Sequence, residues 1–386
     1  MDSVAKLFEG VFQFEWQSLI MYAIGGVLIY LAIAKDYEPS LLLPIGFGAI
    51  VVNLPLAIIW NGTGGEPGVL RLLYNAGILT ELFPVLIFIG IGAMTDFRPL
   101  FANPRMIFFG AAAQFGIFFT ILAVLGLTML IPSLGFTLKS ASAVGIIGAA
   151  DGPTSIVVAS QFAPELLGPI SVAAYSYMAL VPIIQPPVIR ALTSRKERLI
   201  RMEASALEAP KWVLVCFPIL ITVIAGIIAP ISAPLIGLLM FGNLLKEAGV
   251  VERLNRASQN ELANIVTLLL GVTIGATMRW DVFLTVETLV ILALGLVAFV
   301  FDTAGGVAFA KLLNLFTKNK INPMIGAAGI SAFPMSARIV QRMAKDEDPY
   351  NFILMQAVSA NVAGQLGSVV AGGVVLSIVP WLLSRL

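Results

Sequence analysis

Asp151 is the only charged residue between Ala141 and Ala163, in the run Gly148-Ala149-Ala150-Asp151-Gly152-Pro153-Thr154-Ser155. An ionisable side chain in a membrane-like stretch is costly and marks a functional site by default. The Gly-Pro pair that follows breaks a helix and frees backbone carbonyls. One carboxylate, free carbonyls and the hydroxyls of Thr154 and Ser155 make a hard-oxygen site suited to Na⁺ or H⁺. An isolated carboxyl in hydrocarbon is neutral, whereas a bound Na⁺ holds it ionised. The two cations therefore compete for one group, as an ion pump requires.

A second interrupted stretch, 321–345, holds Asn322, Gly326, Gly329, Ser331, Pro334 and Ser336. Its neutral oxygens can ligate Na⁺ without adding charge, although Gly and Ser equally serve close helix packing. Arg338 follows it, able to pair with Asp151, to bind an anionic substrate or simply to anchor at the interface. Tyr175 and Tyr177 are candidate donors or proton sources, with an aromatic belt as the plain alternative. Asn361 and Gln365 lie one helical turn apart on one face. Glu81 and Asp302 are weaker candidates for lining a pathway, while Asp96 and Glu287 are expected near span ends. The chain has no histidine, so a histidine-ligated metal is excluded and proton chemistry falls to Asp, Glu, Tyr, Lys or water. The single Cys216 cannot form an internal disulfide.

These residues sit in a chain that is 59% hydrophobic and 12% charged, about half the charge of a soluble domain. An all-α polytopic membrane protein is expected, and a net charge of +1 gives no case for nucleic acid. About ten spans are expected, at 18–34, 41–60, 78–94, 106–131, 166–190, 211–229, 232–245, 264–278, 282–315 and 350–381. The 282–315 span holds Asp302 and Gly305-Gly306 and is a candidate for a kink or split. The prolines of Val181-Pro182-Ile183-Ile184-Gln185-Pro186-Pro187 are expected to end their helix. The N-terminal Met1–Lys6 lacks a signal-peptide pattern, so the first long helix is expected to insert directly.

The halves resemble one another. Ile91-Gly92-Ala93 reappears as Ile274-Gly275-Ala276, and Gly148-x-x-x-x-Pro153-x-Ser155 as Gly329-x-x-x-x-Pro334-x-Ser336. Pro44 with Asn53 matches Pro234 with Asn243, and Tyr177 falls opposite Asn361. The chain thus reads as a first transmembrane repeat (1–192), a Lys/Arg-rich cytoplasmic linker (193–211) that suggests a hinge, and a second repeat (212–386). Matching interrupted segments point to an inverted repeat with a transport site at its interface.

Gly148-Ala149-Ala150-Asp151-Gly152-Pro153-Thr154, Ala163-Pro164-Glu165-Leu166-Leu167-Gly168-Pro169-Ile170 and the run from Ala173 through Tyr177 to Pro187 resemble the signature of a known family. So do Ile330–Arg338 and Asn361-Val362-Ala363-Gly364. The family is the membrane β subunit of the biotin-dependent, sodium-pumping decarboxylases of oxaloacetate, methylmalonyl-CoA and glutaconyl-CoA. One departure is Ala149, where the family often has glycine. The resemblance implies that the chain decarboxylates carboxybiotin presented by a partner and couples this to Na⁺ export. It implies a soluble carboxyltransferase subunit, a biotin-carrier subunit and a small membrane-anchor subunit as partners. A homo-oligomer and a bacterial or archaeal plasma (inner) membrane location are also expected. The family's functional aspartate falls on Asp151, its tyrosine on Tyr177, and its second-half positions on Asn322, Gly326, Ser331, Arg338 and Asn361. On this reading Asp151, Asn322, Ser331 and Asn361, with Gly326, hold Na⁺. Arg338 meets carboxybiotin, and Asp151 or Tyr177 carries the proton. A stand-alone Na⁺-coupled transporter of a small organic anion fits the paired breaks equally well. The identity of the decarboxylated acid and the number of ions per cycle belong to features outside these motifs.

Overall fold

A computed structural model describes residues 9–63, 65–202, 209–228, 230–332 and 334–385. Phe333, linker residues 203–208 and the Met1–Lys6 segment lie outside the described residues. Among the described residues all regular structure is helical. The principal helices are α1 (Trp16–Lys35), α2 (Pro39–Val52), α3 (Leu82–Met94), α4 (Phe115–Leu130), α5 (Leu138–Gly145), α6 (Gly152–Phe162) and α7 (Leu167–Leu192). There follow α8 (Lys211–Ile228), α9 (Ala233–Ala248), α10 (Ala263–Thr277), α11 (Val286–Phe316), α12 (Met335–Glu347) and α13 (Leu354–Leu383). Six described helices are long and apolar enough to cross a membrane, and three bent pairs raise this to nine. The chain is a multi-pass membrane protein.

Two expected spans are broken. The 41–60 stretch is α2 followed by Pro55–Asn61 at 106°, and α3 is preceded by Val69–Ile78 at 63°. Two other expectations are corrected in the opposite sense. The 282–315 segment is neither split nor interrupted, because α11 runs unbroken from Val286 to Phe316. Asp302 does not disrupt it, since its carboxylate accepts from the Ile117 amide of α4 rather than from its own helix. Nor do the prolines end α7, which continues to Leu192. They bend it by 66° between Met178 and Leu180. Pro182 lacks the N–H that would bond the Met178 carbonyl, so a kink falls one turn before it.

Apolar side chains alone do not drive helices together in lipid, where close packing of small residues and polar bonds does. Here α2 packs on α10 and α3 on α9. A Cβ on Gly48 or Gly275 would strike the other helix's backbone, and the same holds for Gly92 and Gly242. Asn53 Nδ2 donates to the Met278 carbonyl (2.7 Å), and Asn243 Nδ2 donates to the Thr95 carbonyl (3.1 Å). The long α11 forms the spine on which α4, α7, the Ile146–Ala149 turn and the short helix Met324–Ala327 pack.

Candidate cation site at the crossed breaks

A capping box between Thr137 and Ser140 starts α5, and the helix tightens into a 3₁₀ turn over Ile146–Ala149. Ala150 then adopts φ 52°, a left-handed conformation that costs a non-glycine residue about 1–2 kcal/mol. Such strain concentrates at functional sites. The reversal brings Asp151 to the N-cap of α6, with Pro153 in the first turn, where its missing N–H is harmless. In the second half the chain breaks after Met324–Ala327 and resumes as α12. The breaks meet directly, the Ser331 amide donating to the Ala149 carbonyl at 3.1 Å.

Asp151 is 3% exposed. Its Oδ2 accepts from the hydroxyls of Ser368 (2.6 Å) and Thr154 (2.7 Å), and its Oδ1 from the Thr154 amide (3.3 Å). The Ser331 hydroxyl lies beside this carboxylate and donates its one proton to Gln365 Oε1 at 3.0 Å. The Ser155 hydroxyl donates to the Asp151 carbonyl at 2.8 Å. No basic side chain bonds Asp151 among the described residues. A buried carboxylate held only by hydroxyls and amides retains lone pairs for a small hard cation. The described residues contain no cluster of three or more His, Cys, Asp or Glu side chains able to hold a metal, so a cation here rests on one carboxylate and neutral oxygens.

The other residues singled out from sequence separate into two groups. Ser331 lies beside Asp151. Asn361 Nδ2 donates to the carbonyls of Ala328 (3.1 Å) and Ile330 (2.7 Å), so it clamps the second break. Its Oδ1 is buried without a partner. Asn322 is engaged elsewhere. Its Nδ2 donates to the Arg198 and Ile200 carbonyls (2.8 and 2.9 Å), and its Oδ1 accepts from the Met324 amide. Gly326 permits contact of backbones, since a Cβ there would strike the Gly306 carbonyl on α11. The Tyr177 hydroxyl donates to the Leu292 carbonyl of α11. Tyr175 is the tyrosine beside Asp151, its ring packed on Gly152 and its buried hydroxyl without a partner. Arg338 is exposed in the first turn of α12, and no ion pair joins it to Asp151. The idea of an Arg338–Asp151 pair is therefore set aside, because one group is exposed and the other is deeply buried.

Ser368 was not singled out in the sequence, yet it makes the shortest bond to the carboxylate. The signal was available: Asn361, Gln365 and Ser368 are spaced i, i+4, i+7 and share one face of α13. Gln185, in the proline-rich part of α7, donates to the Ala327 carbonyl (2.6 Å) and accepts from Ser336, bracing the second break.

The sequence profile of the Na⁺-transporting oxaloacetate decarboxylase beta subunit matches residues 17–379. The chain belongs to this beta-subunit family. It is 50% identical over 371 residues to the glutaconyl-CoA decarboxylase subunit beta of Acidaminococcus fermentans, covering 96% of each chain. It is 47% identical over 388 residues to the methylmalonyl-CoA decarboxylase subunit beta of Propionigenium modestum, again covering 96% of each. The oxaloacetate decarboxylase beta chain of Haemophilus ducreyi is 44% identical over 430 residues, covering 97% of this chain and 98% of its own. The family match spans both crossed breaks, from α1 to the last turns of α13.

Proposed function

We propose that this beta-subunit chain decarboxylates carboxybiotin presented by a partner subunit and couples the reaction to Na⁺ export. The observation that carries the reading is Asp151, a buried carboxylate at a crossing of two broken segments, surrounded by hydroxyls and lacking a basic partner. Na⁺ is the cargo, held by Asp151 with Thr154, Ser331, Ser368 and the free Oδ1 of Asn361. Asn322 and Gly326 act at one remove by fixing the break that carries Ser331. Carboxybiotin is the substrate. Its N–CO₂⁻ group takes up one proton, the N–C bond breaks, and CO₂ and the N–H form of biotin leave. Arg338, exposed at the start of α12, supplies the fixed positive charge that meets the incoming carboxylate. A proton arriving at Asp151 displaces Na⁺, because either cation neutralises the one buried charge. Tyr175 and Tyr177 are the phenols nearest this exchange. The similarity to three decarboxylase subunits favours this reading over a stand-alone anion transporter.

The reciprocal contacts support two related repeats, which we read as inverted, with about ten crossings and the 193–211 linker between them. The Asn53–Met278 and Asn243–Thr95 bonds are counterparts under the sequence repeat, as are the α2–α10 and α3–α9 packings. A carboxyltransferase subunit, a biotin carrier, a small membrane anchor and a bacterial or archaeal inner membrane complete the proposal.

The test is Na⁺ uptake by inverted vesicles holding the purified complex, supplied in turn with oxaloacetate, methylmalonyl-CoA and glutaconyl-CoA. One acid should drive uptake, and Asp151→Asn should abolish it. Full Na⁺-dependent decarboxylation by Asp151→Asn would sink the coupling role. Substrate-independent Na⁺ flux would instead restore the transporter reading.

A further inference from the structure

We propose that Asp302 is a second proton-exchanging carboxyl that works with Asp151 across the Ile146–Ala149 turn, an inference that rests on the ion-coupled reading above. Asp302 is fully buried in the middle of α11. Its Oδ1 accepts from the amides of Ile117 (3.2 Å) and Gly116 at the start of α4. Its Oδ2 has no hydrogen-bond partner and lies against Gly148, where a Cβ would collide with it. Bracing α4 needs one acceptor oxygen, and Oδ1 supplies it. The bare second oxygen serves no packing purpose, and an unpaired polar atom in the membrane interior is costly.

Among the described residues the surroundings offer no counter-charge. Of the elements packed on α11, α4, the Ile146–Ala149 turn, Ile107–Ala112 and Met324–Ala327 carry no ionisable side chain. α7 carries Tyr175, Tyr177 and Arg190, and α5 carries Lys139, with both cations exposed. On α11 itself Glu287 and Lys311 lie two or more turns away toward the ends. Tyr177 is the one ionisable group that reaches the same face, with its ring at Gly295. Gly295 and Asp302 are seven residues apart, which is roughly 10 Å along a helix. Ile147 and Gly148 press on that face between them. The turn that sets Asp151 is thus held between a phenol and a carboxyl.

With no Na⁺ at an ionised Asp151, the proton on Asp302 holds the region at one negative charge, and the exchange keeps it there. When Na⁺ enters, the O–H bond of Asp302 breaks and the proton passes to water, so one positive charge leaves as another arrives. Na⁺ exit reverses the exchange. One proton is thereby stored within two residues' reach of the turn, for a reaction that consumes one proton per CO₂.

Asp302→Asn tests this, because the amide oxygen still accepts from Gly116 and Ile117 while the exchangeable proton is gone. In the purified complex without substrate, Na⁺ addition should release protons to a dye in weak buffer. The variant should fall short of the wild type by about one proton per chain, and its Na⁺ moved per CO₂ should fall at least about fivefold, the lower end of ordinary site coupling. Wild-type proton release together with a wild-type pH profile would overturn the proposal and leave Asp302 a brace for α4. Undiminished Na⁺-induced release in Asp151→Asn would instead overturn the ion-coupled reading. If Asp302→Asn does not fold, Na⁺-induced difference infrared spectra of the wild type decide. A protonated-carboxyl band that Na⁺ removes, and that Gly148→Ala shifts, supports the proposal. The absence of such a band overturns it.

Discussion

Replacing Ser368 by alanine removes the shortest hydrogen bond to the Asp151 carboxylate, 2.6 Å from Oγ to Oδ2. The Thr154 hydroxyl at 2.7 Å remains on the same oxygen, so the site loses one of its donors without losing its shape. A hydrogen bond to a charged group contributes about 1.5–3 kcal/mol, and each 1.4 kcal/mol is tenfold, so the proposed Na⁺ site should weaken roughly 10- to 150-fold. The same hydroxyl stabilises the ionised carboxylate against the proton. The loss should therefore grow as pH falls, with protons competing more successfully for Asp151. The assay is the Na⁺ concentration giving half-maximal decarboxylation by the complex, measured at three pH values, with chain integrity checked by thermal unfolding. A half-saturating concentration within about twofold of the wild type at every pH, in a folded variant, would refute the assignment of Ser368 to the site.

Other outcomes follow from the same geometry. Arg338→Lys should weaken carboxybiotin use more than Na⁺ affinity, and equal loss of both would mean an anchoring role. Gly326→Ala places a methyl group against the Gly306 carbonyl and should destabilise the chain by about 1–3 kcal/mol, read as a lower unfolding temperature. Tyr177→Phe loses the bond to Leu292, and if the phenol relays protons the rate should fall about 10²-fold or more, whereas a bracing role lowers stability alone. The Tyr350 amide, and then the Arg201 guanidinium, hold the Asp348 carboxyl below its ordinary range. A depressed value means the linker contact is present at neutral pH and is lost as pH falls through that lowered value. Proteolysis of the linker should accordingly quicken on acidification, and no acid dependence would count against the contact.

The breaks were legible because Asp151 stands alone among apolar residues and because Gly152-Pro153 and Pro334 interrupt two otherwise continuous apolar stretches. Hydropathy could not show that 41–60 turns a corner near Asn53 or that α11 passes intact through Asp302. Both outcomes depend on partners more than 180 residues away, Met278 and Trp280 for Asn53 and Ile117 for Asp302. Asn53 and Asn243, matched in the sequence, do each bond a carbonyl on a distant helix end, Met278 and Thr95. Sequence favours Tyr177 over Tyr175, and the two stand two positions apart on a helix and so on different faces. The structure turns Tyr175 to Asp151 and Tyr177 to α11. Asn322 was read as a ligand from its type, but the linker carbonyls of Arg198 and Ile200 take both of its donors. The linker is likewise no free hinge over its described part, since Arg198 pairs with Glu347 at the end of α12 and Arg201 with Asp348 just beyond it.

A cage of one carboxylate and several neutral oxygens has a consequence for which ions it admits. A monovalent cation beside Asp151 brings the buried assembly to zero net charge, and so does a proton. Counting the Asp151 cage alone, Mg²⁺ or Ca²⁺ would leave an uncompensated unit of positive charge away from water, a penalty of several kcal/mol in real proteins. Selection by valence then needs no fine measurement of ionic radius. It follows from arithmetic, one acid and no base, written into the stretch between Ala141 and Ala163.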